Sequence, residues 1–201
     1  QKKLYSKIIQ ESRSVVAQES SNTMTILTSI LRLRQICAAP ELLKIAADKL
    51  TEKGQKTGEK SEKAEQTLSV LNQLIREAGD IESSPKVEFL EAKIRELHLE
   101  GHSVLVYSQF RSMLDVLEPR LESKGLKYYR LDGSTPVMKR KKDVDDFQTS
   151  KEPATYLISL KAGGVGLNLT KASVVFFVEP WWNPAVENQA ADRTHRIGQQ
   201  K

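Results

Sequence analysis

From Ser84 onward, short apolar runs alternate with stretches whose apolar residues recur at three- and four-residue spacing. This alternation constrains the fold more than any other feature of the chain. The runs Val104–Tyr107, Tyr128–Leu131, Tyr156–Ile158 and Val174–Val178 are too short for helices, and they predict four strands. Ser84-Pro85 predicts a helix start, with Ser at the cap and Pro in the first turn. Val87, Leu90, Ile94 and Leu97 line one face of that helix, which should stop at Gly101. Met113, Leu114, Leu117 and Leu121 mark a second helix, which Pro119 should kink or divide. Val137 to Phe147 predicts a third, and Pro184 to Arg196 a last one. Strands alternating with helices imply an α/β fold, a parallel sheet covered on both faces. Ligands of such sheets sit beyond the carboxyl ends of the strands.

The preceding residues read as helical. Leu4, Ile8 and Ile9, then Ile26, Leu27, Ile30, Leu31, Leu33 and Ile36, recur mostly at helical spacing. Pro40 interrupts the second helix, and Glu41-Leu42-Leu43 begins another. Residues 51–66 hold no aliphatic residue larger than Ala and read as a charged, solvated linker. Gly54, Gly58, Lys60 and Ser61 within it lack the G-x-x-x-x-G-K-[ST] spacing and follow no strand, so they form no phosphate loop. Leu68, Leu71, Leu74 and Ile75 then predict an amphipathic helix over 67–79. The division expected is a helical segment at 1–83 and an α/β unit at 84–201.

With 201 residues, 39% of them hydrophobic, the chain can hold one core plus a helical appendage. No run approaches the ~18 consecutive apolar residues of a membrane span, and the first 20 residues lack a signal-peptide apolar stretch. Cys37 stands alone, which excludes an internal disulfide and a Cys-rich zinc site and points to a reducing compartment. A net charge of +5 permits a polyanion partner without identifying one.

Four strand-end loops and one helix could carry chemistry. Ser108-Gln109-Phe110-Arg111 could hold a phosphate at a helix N-terminus, or Ser108 could simply cap that helix. In Asp132-Gly133-Ser134-Thr135-Pro136, Asp-Gly predicts a tight turn, Ser134 or Thr135 a cap, and Pro136 a first helical turn. Lys139 to Lys142 follow, either as a solvated face or as phosphate contacts. Ser159 to Asn168 carries Gly163, Gly164 and Gly166, which let backbone approach an anion. Leu169 stands where a dinucleotide fingerprint needs its third glycine. Trp181-Trp182-Asn183-Pro184 suits packing at the mouth of the sheet first, and stacking on a base or sugar second. In the last helix Arg193 and Arg196, three apart, share a face; they suit a polyphosphate, or else a solvated face with ion pairs such as Asp192 with Arg196. His195 has no paired Ser, Cys or carboxylate to make it a catalytic base.

Taken in this order, the loops resemble the second RecA-like lobe of Swi/Snf-type ATPases of helicase superfamily two. Gln189-Ala190-Ala191-Asp192-Arg193-Thr194-His195-Arg196-Ile197-Gly198-Gln199 looks like motif VI, Ser159 to Asn168 motif V, and Val104 to Phe110 motif IV. Leu131 to Thr135 and Trp182-Asn183-Pro184 match further blocks, and Leu31 to Cys37 with Pro40 and Leu43 is similar to the helical segment before this lobe. Lys161 replaces a frequent Arg, Glu179 a common Asp, and Ala38-Ala39-Pro40 a frequent His-Pro.

The resemblance implies a RecA-like parallel sheet sandwiched by helices, with an N-terminal α-helical appendage. It implies the second motor lobe of an ATP-dependent double-stranded DNA translocase or remodeller. Arg193 and Arg196 would be arginine fingers, Gln189 would orient their helix, and Gly166 and Asn168 would lie near the nucleotide. Ser108, Gln109, Arg111, Ser159 and Lys161 would touch DNA phosphates. ATP and magnesium would be held mainly by a first RecA-like lobe of the same polypeptide, because no phosphate loop or Asp-Glu box occurs here; the chain, ending after motif VI, is expected to be inactive alone. The alternative is a stand-alone, non-catalytic module binding nucleic acid or protein. Remodelling, repair and polymerase recycling all use such motors. The Pro180–Glu187 wording points to a bacterial host and a cytoplasmic location; a eukaryotic host would mean the nucleus.

Overall fold

A computed structural model describes residues 5–6, 8–10, 23–57, 62–78, 84–162, 167, 169–180 and 185. They belong to two compact units, Gln1–Pro85 and Lys86–Lys201. The first is helical, with α1 (Thr23–Ala38), α2 (Glu41–Thr57) and α3 (Glu62–Ala78). Pro40 falls between α1 and α2, where a ring without an N–H ends one helix and Glu41 opens the next at its positive end. Ile36, Leu43, Leu71 and Leu74 are buried together with Ile8, and each contributes roughly 1.5–3 kcal/mol on leaving water.

Residues 51–66 depart from the expected linker. Residues 51–57 continue α2 and 62–66 begin α3; 58–61 lie outside the described residues. Lys, Glu, Gln and Ala are good helix formers, and Thr51 Oγ1 donates to the Ala47 carbonyl at 3.0 Å. Lack of large aliphatic residues there marks helix ends facing solvent, not loss of helix.

In the second unit, α4 (Pro85–Leu99) buries Val87, Leu90, Ile94 and Leu97, the predicted stripe. It ends at Gly101, whose φ of 81° lets Gly101 N–H reach the His98 carbonyl (3.0 Å) and His102 N–H the Leu97 carbonyl (2.8 Å). The strands β1 (Ser103–Ser108), β2 (Tyr128–Leu131), β3 (Thr155–Ser159) and β4 (Ala172–Phe177) form one parallel sheet in the order β2-β3-β1-β4. β1 and β3 are central and buried throughout, whereas β2 and β4, at the edges, are mostly half-buried.

One face of the sheet, with Leu105, Tyr107, Leu131, Tyr156 and Ile158, packs on Phe147 of α6 (Val137–Thr149). Tyr129, Phe147 and Tyr156 meet there with ring centroids 5.3–5.9 Å apart. The alternate residues point the other way, toward α4, whose His98 Nε2 lies 2.9 Å from Thr155 Oγ1. α5 (Arg111–Ser123) contacts β1, β2 and β3 and buries Met113, Leu114, Leu117 and Leu121. Pro119 does not divide α5; it is exposed, so its ring meets solvent while the apolar stripe holds both halves against the sheet.

Candidate functional site

Parallel pairing brings the strand-end turns together. Ser108 of β1 pairs with Ser159 of β3, and Leu160 N–H donates to the Ser108 carbonyl at 2.9 Å. On the other side Val178 N–H donates to the Tyr107 carbonyl at 3.0 Å, and the Tyr107 and Phe177 rings stack at 5.4 Å. The turns after β1, β3 and β4 therefore leave the sheet as neighbours at its carboxyl edge.

Ser108 is fully buried. Its Oγ lies 3.0 Å from both carboxylate oxygens of Glu179 and accepts the Phe110 N–H at 3.0 Å. Gln109 N–H donates to Glu179 Oε2 at 3.0 Å, and Gln109 Nε2 to the Pro180 carbonyl at 2.9 Å. This corrects one expectation: Ser108 does not cap α5, which is preceded by Phe110 and has no side-chain cap. The Ser108 hydroxyl is buried against the Glu179 carboxylate and shapes the turn that presents Gln109.

Arg111 opens α5 with a side chain 57% exposed, its Nε 3.0 Å from Asp132 Oδ2. Asp132, buried after β2, accepts Ser134 N–H (2.8 Å) and Ser134 Oγ–H (2.6 Å) on Oδ1. Arg130 donates to its Oδ2 from Nε at 2.9 Å and pairs from Nη2 at 2.8 Å. The same Arg130 guanidinium reaches Asp115 at 2.8 Å and bonds Glu118, both on α5. Burial pushes the Asp132 carboxyl up, but the Ser134 and Arg130 hydrogen bonds and the Arg111 charge outweigh it and hold the group at about 2. Burial lowers the Arg130 pKa, yet bonds to three carboxylates carry it above its ordinary value.

The turn Asp132 organises differs from expectation in one detail. Neither Ser134 nor Thr135 caps α6: Thr135 Oγ1 accepts the Asp132 N–H at 3.0 Å, and Pro136 stands at the cap position, one residue before the helix. Asp132 binds its own following backbone, the Asx turn that competes with capping.

Ser159 is 6% exposed, and its carbonyl accepts Ala162 N–H at 2.9 Å. The tight turn this closes leaves Lys161 exposed. Of the cationic run, Lys139, Lys141 and Lys142 are exposed, and Lys139 pairs with Asp143 at 2.6 Å, as a solvated face requires. Gly166, Asn168, Gln189, Arg193 and Arg196 lie outside the described residues, as do Trp181, Trp182 and all of the Pro184–Arg196 stretch except Ala185. Among the described residues no His, Cys, Asp or Glu side chains converge in a group of three that could hold a metal ion.

Sequence reasoning singled out Gln109 and Arg111 and named Asp132 and Glu179 without their contacts, and it missed Asp115 and Glu118. A signal existed for those two: Arg130 interrupts a predicted strand while Asp115 and Glu118 stand three apart on a predicted helix. Nothing local says that Glu179 meets Ser108, 71 positions away.

A parallel sheet flanked by helices, with polar turns gathered at its carboxyl edge, is the RecA-like class of motor lobe. The model of the helicase conserved C-terminal domain matches residues 85–198, and the chain belongs to that family, in its Swi/Snf-type branch. It is 46% identical to the chromatin-remodeling ATPase INO80 of Neurospora crassa over 121 residues, 60% of this chain and 6% of that protein. It is 35% identical to an SNF2 domain-containing protein, ENL1, of Oryza sativa subsp. japonica over 87% of this chain and 19% of that protein. It is also 35% identical to the DNA excision repair protein ERCC-6-like of Danio rerio, over 99% of this chain and 14% of that one. The crystal structure of the C-terminal part of the Fun30 ATPase domain superimposes with a TM-score of 0.68 and 25% identity, covering 100% of this chain and 78% of the other. The chain thus spans no more than a fifth of these curated relatives. All three come from eukaryotes, so the bacterial host inferred from residues 180–187 is not supported. Among the described residues no helix is long and apolar enough to cross a membrane.

Proposed function

We propose that this chain is the second motor lobe of an ATP-dependent double-stranded DNA translocase that works in the nucleus. The observation that carries the reading is the Ser108–Ser159 register, which sets the turns bearing Gln109, Arg111 and Lys161 side by side at one edge. Two cations and an amide there suit one strand's phosphate backbone, a contact that is independent of base sequence and weakened by salt. By the resemblance of the motif VI string, Arg193 and Arg196 would supply positive charge to the γ-phosphoryl of ATP held by a first lobe; Gln189 would orient their helix, and Gly166 and Asn168 would lie near the nucleotide. ATP and magnesium, held mainly by that first lobe, would supply the phosphoryl chemistry. The residues of this chain grip phosphates and complete the charge around the nucleotide when the lobes close.

The test is DNA-stimulated ATP hydrolysis by the two-lobe protein. Arg193→Ala or Arg196→Ala should lower turnover by about 10³-fold or more, the scale of an arginine finger. Wild-type turnover in the Arg196→Ala protein refutes the finger assignment. By itself this chain is expected to hydrolyse no ATP above background.

A further inference from the structure

Arg111 is exposed, yet one edge of its guanidinium is held by a buried carboxylate. An exposed arginine ordinarily samples many rotamers, and ordering it on a ligand costs entropy. Here Asp132 takes Nε at 3.0 Å, while the side chain as a whole stays 57% exposed. Asp132 is itself fixed by Ser134 on one oxygen and Arg130 on the other. Arg130 is pinned in turn by Asp115 and Glu118, carboxylates of the helix that Arg111 opens. Arg111 is the one largely exposed charged member of this frame: Arg130, Asp115 and Glu118 are 18%, 31% and 27% exposed.

We propose that Asp132 is a positioning residue that presets Arg111 for a DNA phosphate. This inference rests on the reading of the carboxyl edge as a DNA-contacting surface. It makes a prediction opposite in sign to simple electrostatics. Removing a negative charge close to a polyanion site should tighten DNA binding. If Asp132 acts by holding Arg111, removing it weakens binding instead.

The experiment measures duplex DNA binding by this chain with fluorescence anisotropy across a salt series. The proteins are wild type, Arg111→Ala, Arg111→Lys, Asp132→Asn, and Arg111→Ala with Asp132→Asn. Arg111→Ala is expected to weaken binding about three- to five-fold, the scale of one exposed charge contact, and to reduce the salt slope by about 0.9. Asp132→Asn is expected to weaken it by a similar factor, with no further loss when Arg111 is already Ala. Arg111→Lys, which keeps the charge but lacks Nε, should fall close to Arg111→Ala. If Arg111→Ala changes nothing, the DNA reading at Arg111 fails and the inference with it. If Arg111→Ala weakens binding while Asp132→Asn tightens it, leaves it unchanged, or adds to it independently, the DNA reading stands and the positioning role is overturned. Should Asp132→Asn fail to fold by circular dichroism, Arg111→Lys decides alone: wild-type affinity overturns the proposal, and Arg111→Ala-like affinity supports it.

Discussion

Replacing Arg130 with Met should destabilise the sheet unit through charge. The guanidinium, 18% exposed, touches Asp115, Glu118 and Asp132, and Met fills much of its volume without the cation. Three carboxylates would then share one site, with Arg111 the cation still paired to Asp132. Breaking a buried ion pair from one side costs about 3–5 kcal/mol. Asp115 and Glu118 are 31% and 27% exposed, and screening reduces their share, so about 2–3 kcal/mol is expected at pH 7. Asp132 fixes the pH dependence. Its folded pKa, about 2, lies below its ordinary value of 3.8. Its contribution is therefore present above pH ~4 and lost as pH falls toward 2. Without Arg130 the folded pKa rises, so the variant's deficit should be full at pH 7 and shrink between pH 4 and 2. Urea unfolding followed by circular dichroism, at pH 7, 4 and 2.5, measures it. A deficit that stays constant over that range would locate the loss in packing and refute the charge argument.

Pro119→Ala should stabilise the protein by about 1–3 kcal/mol, since Ala restores an N–H donor at an exposed position inside an intact helix; a lowered urea midpoint would show that the ring fits a bend the helix needs. Burial and the nearby Lys171 charge depress the His98 pKa. The folded state therefore binds fewer protons there, and this share of stability, full above pH ~6.5, is lost as pH falls below it. His98→Gln should flatten that part of the stability–pH curve, and an unchanged slope would reject the assignment.

Local pattern made much of the second unit legible. Strands β1 to β4 are legible within one or two residues: central β1 and β3 are apolar on both faces, and β2 and β4 are short apolar runs between turn-forming residues. Gly101 was legible as a helix stop because only a residue without Cβ accepts its backbone angle cheaply. The charged stretch 51–66 misled for the complementary reason. Solvent exposure removes the apolar periodicity that announces a helix, while the backbone hydrogen bonds remain.

At the carboxyl edge, the spacing of Ser108, Gln109 and Arg111 after an apolar run marked a candidate turn, and the motif strings marked the family. What each side chain does there was decided by contacts distant in sequence. Ser108 became a buried brace because Glu179 arrives from 71 residues away. Arg111 became an oriented cation because Asp132, the residue after β2, carries a carboxylate held by Arg130 and Ser134. Periodicity reports which way a residue faces relative to its own helix or strand. Which charge it meets depends on the order β2-β3-β1-β4, and that order exists only once the strands have paired.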